Sequence, residues 1–271
     1  MANNPIQAES DQPNVAAVTG TNQAPTDQGF AMGMHGTSAK GEGIRGETNA
    51  QNHAVVAGFN NATAAGPAWG VFGISQVGEG VHGETNSTTF AAVAGIALNP
   101  NGTGAGVYGE SRGPGPAGFF KGNVIVTGDL FLQNADCAEE FDIAVAEMEV
   151  IEPGTVMVIE HESTLRPSQH AYDKRVAGVI SGAGQCKPGI VLDKQASQEN
   201  RLPIALMGKV YCKVDAQYAP IEVGDLLTTS PTSGHAMKAE NPLQAFGAVI
   251  GKALRPLAAG QGLIPILIAL Q

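Results

Sequence analysis

Side chains able to do chemistry are sparse in this sequence, and they are densest at Asn134-Ala135-Asp136-Cys137-Ala138-Glu139-Glu140. Asn134 and Asp136 are of the types that can attack a neighbouring carbonyl. Asp136, Glu139 and Glu140 could pair as general acid and base. The competing reading is structural: Asp136 and Glu139 cap and orient the first turn of a domain. The six histidines, at 35, 53, 82, 161, 170 and 235, form no HxH or HExxH pattern. His35 and His82 each precede a recurring glycine. In an assembly of three chains, three copies of either could meet on the axis and hold a metal, although an exposed position is the simpler expectation. Ser230, Ser233 and His235 lie close together, but no acid is placed to orient the imidazole, so no hydrolase triad is expected. No cofactor is expected.

A G-x-G-x-x-G pattern occurs three times, at Gly41-Gly43-Gly46, Gly78-Gly80-Gly83 and Gly104-Gly106-Gly109. Dinucleotide binding would need a buried strand before it, a helix after it and an acid ~20 residues on. The first two copies are followed by Glu-Thr-Asn and another short apolar group, so recurrence within a repeat explains the pattern better.

The repeat that contains these glycines organises the first half. Short apolar groups close on Gly20, Gly36, Gly46, Gly58, Gly73, Gly83, Gly95 and Gly109, and the pairs Gly36/Gly73, Gly46/Gly83 and Gly58/Gly95 are each 37 residues apart. At that offset HGTSAKGEGIRGETNAQNHAVVAG aligns with FGISQVGEGVHGETNSTTFAAVAG. Each unit reads as a short strand closed by a glycine, where the chain turns or two backbones approach closely. Such strands bury little area alone and gain stability by stacking on neighbours or on sister chains. Of 36 glycines, 24 fall in residues 1–132, while aromatics make up 5% of the chain, too few for a monomeric sandwich core there. A three-chain shaft solves that burial problem.

The expected organisation is therefore a flexible N-terminal arm at 1–14, a glycine-rich β-repeat shaft at 15–117, a β-hairpin neck at 118–133 and a C-terminal β-domain at 134–271. The neck reading rests on Val124, Val126, Leu130 and Leu132 around a Gly128-Asp129 turn. In the second half, apolar strands are expected at 156–160, 175–181, 190–192, 204–214, 225–230, 245–254 and 263–270, separated by Pro, Gly and Asn turns. With no long helix among them, they imply a barrel or sandwich. Segment 138–151 is ambiguous between helix and strand. The fold class is all-β: a repetitive β-solenoid or fibrous shaft followed by a compact barrel or sandwich, in an intertwined trimer.

Charge narrows the partners. Net charge is −10 at pH 7 and charged residues are 15% of the chain, below the ~25% typical of globular proteins. No basic stripe is present, so neither nucleic acid nor membrane insertion is expected. The run Leu263 to Leu270 is shorter than the ~20 residues of a membrane-spanning helix. Cys137, Cys186 and Cys212 form no CxxC pair and read as small buried hydrophobes. MANNPIQAES lacks a basic n-region and an apolar h-region, so no secretory signal is expected.

The strings NADCAEEFDI, PGTVMVI, YDKRVAGVISGAG, PIALMGKVYCKV, IEVGDLLTTSPTSGHAMKA and GAVIGKAL are similar to the C-terminal domains of phage tail and appendage proteins. In particular, residues 134–271 resemble the autoproteolytic intramolecular-chaperone domain of phage neck-appendage proteins, with Ala135-Asp136-Cys137-Ala138-Glu139 at the position of that domain's opening motif. The resemblance implies a trimeric fibre whose C-terminal domain drives assembly, and in some members self-cleavage near the domain boundary. Asn134, Asp136, Glu139 and Glu140 would be the candidates for that cleavage. It further implies residence in a virion or extracellular particle after cytoplasmic synthesis, with a tail or baseplate protein held through the N-terminal arm. A surface glycan or envelope component is the expected receptor, with Trp69, Phe72 and Tyr108 as contact candidates and Phe119 and Phe120 as further shaft aromatics. Those aromatics could equally be core. A self-cleaving chaperone and a cargo or lumen protein of an injection particle are the alternative readings.

Overall fold

The computed structural model describes residues 35–40, 42, 44–49, 54–60, 69–134, 136–144, 151–162, 164–195 and 200–270. The predicted arm at 1–14 lies outside these residues. The chain divides into two compact units, Met1–Phe119 and Phe120–Gln271.

In the first unit no strand or helix forms among the described residues, and all of them are exposed. In place of the expected β-solenoid, the described residues of this unit form no strand ladder. Its order lies in a repeated interlock between a glycine and a valine of the next apolar group. A Cβ placed on Gly46 would meet a Val55 methyl at 2.6 Å, one on Gly58 a Val71 methyl at 2.7 Å, and one on Gly73 a Val81 methyl at 2.8 Å. Gly83 meets Val93 at 2.7 Å and Gly95 meets Val107 at 2.5 Å. The Gly46–Val55 and Gly83 contacts recur after 37 residues, with Ala92 and Val93 facing Gly83, so the sequence period is also a structural one. These glycines are required for close approach, since any side chain would displace backbone or a branched methyl.

The second unit begins with a segment that differs from expectation. Residues 120–134 hold no strand, so the hairpin neck is absent. The physical reason is that this stretch is apolar on both alternating faces: Val124 and Ile125, and Phe131 and Leu132, are all exposed. One chain cannot cover both sides of such a ribbon.

Among the described residues, ten strands and one helical turn follow: β1 (Asp136–Ile143), β2 (Val156–His161), β3 (Thr164–Pro167), β4 (Val176–Ile180), β5 (Pro188–Leu192), β6 (Arg201–Asp215), β7 (Leu226–Thr229), β8 (Ala236–Lys238), α1 (Pro242–Ala245), β9 (Val249–Ala253) and β10 (Gln261–Ile268). They form one sheet in the order β10-β9-β7-β8-β6-β4-β2-β3-β1-β5, with extra pairings β10–β6 and β6–β1. The extra pairings fold the sheet into two partial rings that share the long strand β6. Their seams are thin: β6 meets β8 only at Val214↔Ala236, and β4 at Val179↔Ala205 and Ile180↔Ile204. The expected barrel or sandwich is therefore a single sheet curled into incomplete rings. Strand β1 settles the ambiguity at its end of segment 138–151.

Two cores form. Val210, Cys212, Val214, Leu227, Ile250, Ile264 and Ile266 pack in one, joined by Val156 of β2 and Val179 of β4, and Met157, Leu165, Ile180 and Ile204 pack in the other. Strand β6 passes between them at Gly208, whose φ of 105° lies where a Cβ is strained. On one side of this kink β6 pairs with β1 from Gly208↔Asp136 to Arg201↔Asp142. On the other it pairs with β10 from Gly208↔Ile268 to Asp215↔Gln261.

Candidate functional site

The candidate residues at the start of the β-domain are held by three strands. Asp136 opens β1, opposite Gly208 of β6 and Pro188 of β5. It is 5% exposed, and its Oδ2 accepts a hydrogen bond from the Ser181 hydroxyl at 2.7 Å. The other oxygen, Oδ1, is buried without a hydrogen-bond partner. Burial pushes this carboxyl upward from its ordinary pKa, and the Ser181 hydrogen bond offsets part of that. On the neighbouring edge strand, a Cβ on Gly189 would lie 3.1 Å from the Asn134 carbonyl oxygen. Glycine there lets β5 sit against the backbone just before β1.

The remaining carboxylates do not join Asp136. A strand alternates its faces, so Asp136 and Ala138, both buried, point one way, and Cys137 and Glu139, half-buried, the other. Asp136 and Glu139 therefore lie on opposite faces of β1. Their spacing suits a helical turn, and the structure corrects the capping expectation, because Asp136 begins a strand. Glu140 offers its backbone carbonyl to Arg201, which donates from Nη2 at 2.6 Å. Arg201 also pairs with Asp142 at 3.3 Å and Asp193 at 2.5 Å, and it holds the Asp193 carboxyl below its ordinary pKa. This buried guanidinium ties β1 to the β5–β6 connection. It gave no motif in the sequence, because its partners lie 8, 59 and 61 positions away.

Elsewhere the nucleophile and ligand candidates are committed to structure. His235 Nδ1 is 2.7 Å from the Ser233 carbonyl oxygen, and Ser230 accepts from the Thr232 N–H at 3.1 Å. Cys212 is buried, which pushes its thiol pKa up, while Cys137 and Cys186 are half-buried; all three are free. Among the described residues no group of three or more His, Cys, Asp or Glu is arranged to hold a metal ion. Nor is any helix long and apolar enough to cross a membrane. His35 is exposed, and His82 lies between Glu79 and Glu84.

In the first unit, Val71, Val81 and Val107 close onto Gly58, Gly73 and Gly95, and the residues that follow them, Phe72, His82 and Tyr108, are exposed. Phe72 and Trp69 meet with ring centroids 5.6 Å apart at a tilt of 43°. Tyr108 donates to Glu110 at 3.2 Å. Trp69, Phe72 and Tyr108 are all exposed, as are Phe119 and Phe120. The structure thus brings Trp69 and Phe72 together and gives Tyr108 a separate acidic partner.

No protein-family model matches this chain, and no curated protein matches it. Among solved structures, the N base of head fibre gp8.5 in bacteriophage phi29 is similar at 15% identity, covering 49% of this chain and 92% of that one with a TM-score of 0.27.

Proposed function

We propose that this chain is a structural subunit of a phage or phage-like particle: a homotrimeric fibre or spike with a repeat shaft and a C-terminal β-domain that drives assembly. The observation that carries this reading is the contrast between the two units. The β-domain buries its own cores, whereas the shaft repeats a regular glycine–valine interlock and leaves Ile74 at 78%, Ile96 at 75% and Phe119 at 83% exposure. Soluble monomers rarely expose apolar surface on this scale, and sister chains of the same repeat are the natural cover. In this reading the 120–134 ribbon, apolar on both faces, pairs between chains. The arm attaches to a tail or baseplate protein, and Trp69, Phe72 and Tyr108 offer flat apolar surface to a glycan or envelope receptor. Light scattering on the purified full chain tests the core of the proposal. A particle of three times the 27.7 kDa chain mass is expected, and a monodisperse monomer would overturn it.

A second reading, self-cleavage at the start of the β-domain, is favoured by one observation: the Oδ1 of Asp136, two residues after Asn134, is buried without a hydrogen-bond partner. Unpaired buried polar atoms are rare without a role. Intact mass separates the readings. Two fragments, each near half of 27.7 kDa, that vanish in Asp136→Asn support cleavage; a single full-length mass excludes it under those conditions.

A further inference from the structure

The two aligned copies of the repeat carry the same ionic device with one substitution. In the first copy, Arg45 lies between two acids: its Nε is 2.7 Å from Glu47 and its Nη1 3.4 Å from Glu42. Thirty-seven residues on, His82 takes the place of Arg45, with Glu79 and Glu84 in the places of the two acids. The imidazole reaches both: Nδ1 faces Glu79 Oε2, and Nε2 lies 3.1 Å from Glu84 Oε1. A neutral imidazole carries one N–H and can donate to only one of them. Holding both carboxylates requires the imidazolium. The arginine of the first copy keeps its charge at every physiological pH.

We propose that Glu79–His82–Glu84 is a pH-responsive latch on the shaft, closed when the ring is doubly protonated and half-open when it is neutral, whereas Glu42–Arg45–Glu47 stays closed throughout. The groups facing the ring are those two glutamates. The segment packed across the adjacent Gly83 presents Ala92 and Val93, which carry no charge, and the segment on the other side places Gly73 against Gly80 and Val81. Among the described residues no other ion pair reaches the imidazole.

The electrostatics run in the same direction. The hydrogen bond to Glu84, then that to Glu79, raises the His82 pKa above the ordinary 6.5. A group whose pKa is raised by folding stabilises the fold fully below its unfolded value, and that stabilisation is lost as pH rises through the raised value. The second repeat should therefore tighten in mild acid and slacken above neutrality, while the first does not respond.

Ring titration of the unmodified full chain, followed by NMR on histidine-labelled protein, tests this directly. The His82 midpoint should lie above 6.5 and shift down in Glu84→Gln and in Glu79→Gln; a midpoint at or below 6.5, unmoved by either change, overturns the latch. Protease resistance supplies a second readout. Cleavage between Gly73 and Gly95 should be faster at about pH 8.5 than at about pH 5.5 in the native chain and equal at both in His82→Arg, after the protease's own pH dependence is divided out. The same pH response in His82→Arg would sink the proposal. Arg45→His, conversely, should add a pH response to the first copy.

Discussion

At the scale of single residues, buried carboxylates of opposite character set the acid response of the β-domain. Asp136 has its pKa raised, chiefly by burial, so it opposes folding near neutrality and that penalty shrinks as pH falls. Asp173 is the reverse. Its carboxylate is held by Arg175 at 2.7 Å and its pKa is lowered, so its contribution is present above the unfolded value and lost on acidification. Thermal melts across pH should show both. Asp136→Asn is expected to raise the melting temperature at neutral pH and remove the gain on mild acidification, whereas Asp173→Asn lowers it at neutral pH. Ser181→Ala would leave both Asp136 oxygens without a partner and should cost about 1–3 kcal/mol. If Ser181→Ala unfolds at the wild-type urea midpoint, the hydrogen bond contributes nothing to stability.

At the scale of elements, glycine placement gives sharper tests than composition does. In the shaft, a methyl on Gly95 would collide with the Gly106 carbonyl and Val107, whereas around Gly104 there is nothing within 4 Å. Gly95→Ala should make the shaft protease-sensitive, and Gly104→Ala should be neutral or slightly protective, because alanine restricts the unfolded chain. Equal effects would mean that the interlock does not hold the shaft together. In the β-domain, Gly208→Ala forces a side chain to φ 105° at the kink of β6 and should cost on the order of 1–3 kcal/mol by denaturant unfolding. The sequence exposed much of this layout. Strands β2, β4, β5, β6, β7, β9 and β10 fall on the expected apolar runs, because local pattern suffices to mark a half-buried strand. It hid β3 and β8, which are only four and three residues long and too short to show a period, although each pairs with the strand just before it. It also hid α1, although Asn241-Pro242 is a helix-start signature: the Asn241 side chain accepts from the Leu243 and Gln244 N–H groups. The 37-residue period was legible, but its conversion into glycine–valine contacts without a ladder was not, since spacing alone does not say whether a short strand finds a partner. Asp136 was legible as a candidate; Ser181, 45 residues away, was not.

At the scale of the whole molecule, assembly should depend on side chains that a lone chain leaves bare. Ile74→Asp and Ile96→Asp place charge at two positions that directly follow repeat glycines and are exposed in the single chain. In a three-chain shaft both should lower the assembly's melting temperature or shift its mass downward, while charge at the already polar Thr103 should not. Unchanged mass and melting for both isoleucine variants would mean that these side chains face solvent in the particle. The register of β6 has a mechanical corollary. Strand β10 ends and β1 begins opposite the same residue, Gly208, and both run antiparallel to β6. Between them they pair with β6 from end to end, one half each. Tension arriving through residue 134 would enter β1 along its length and load its ladder with β6 in shear, so the rungs from Asp136 to Asp142 resist together instead of opening one by one. The β-domain would then grip the end of the chain as a splice grips a rope.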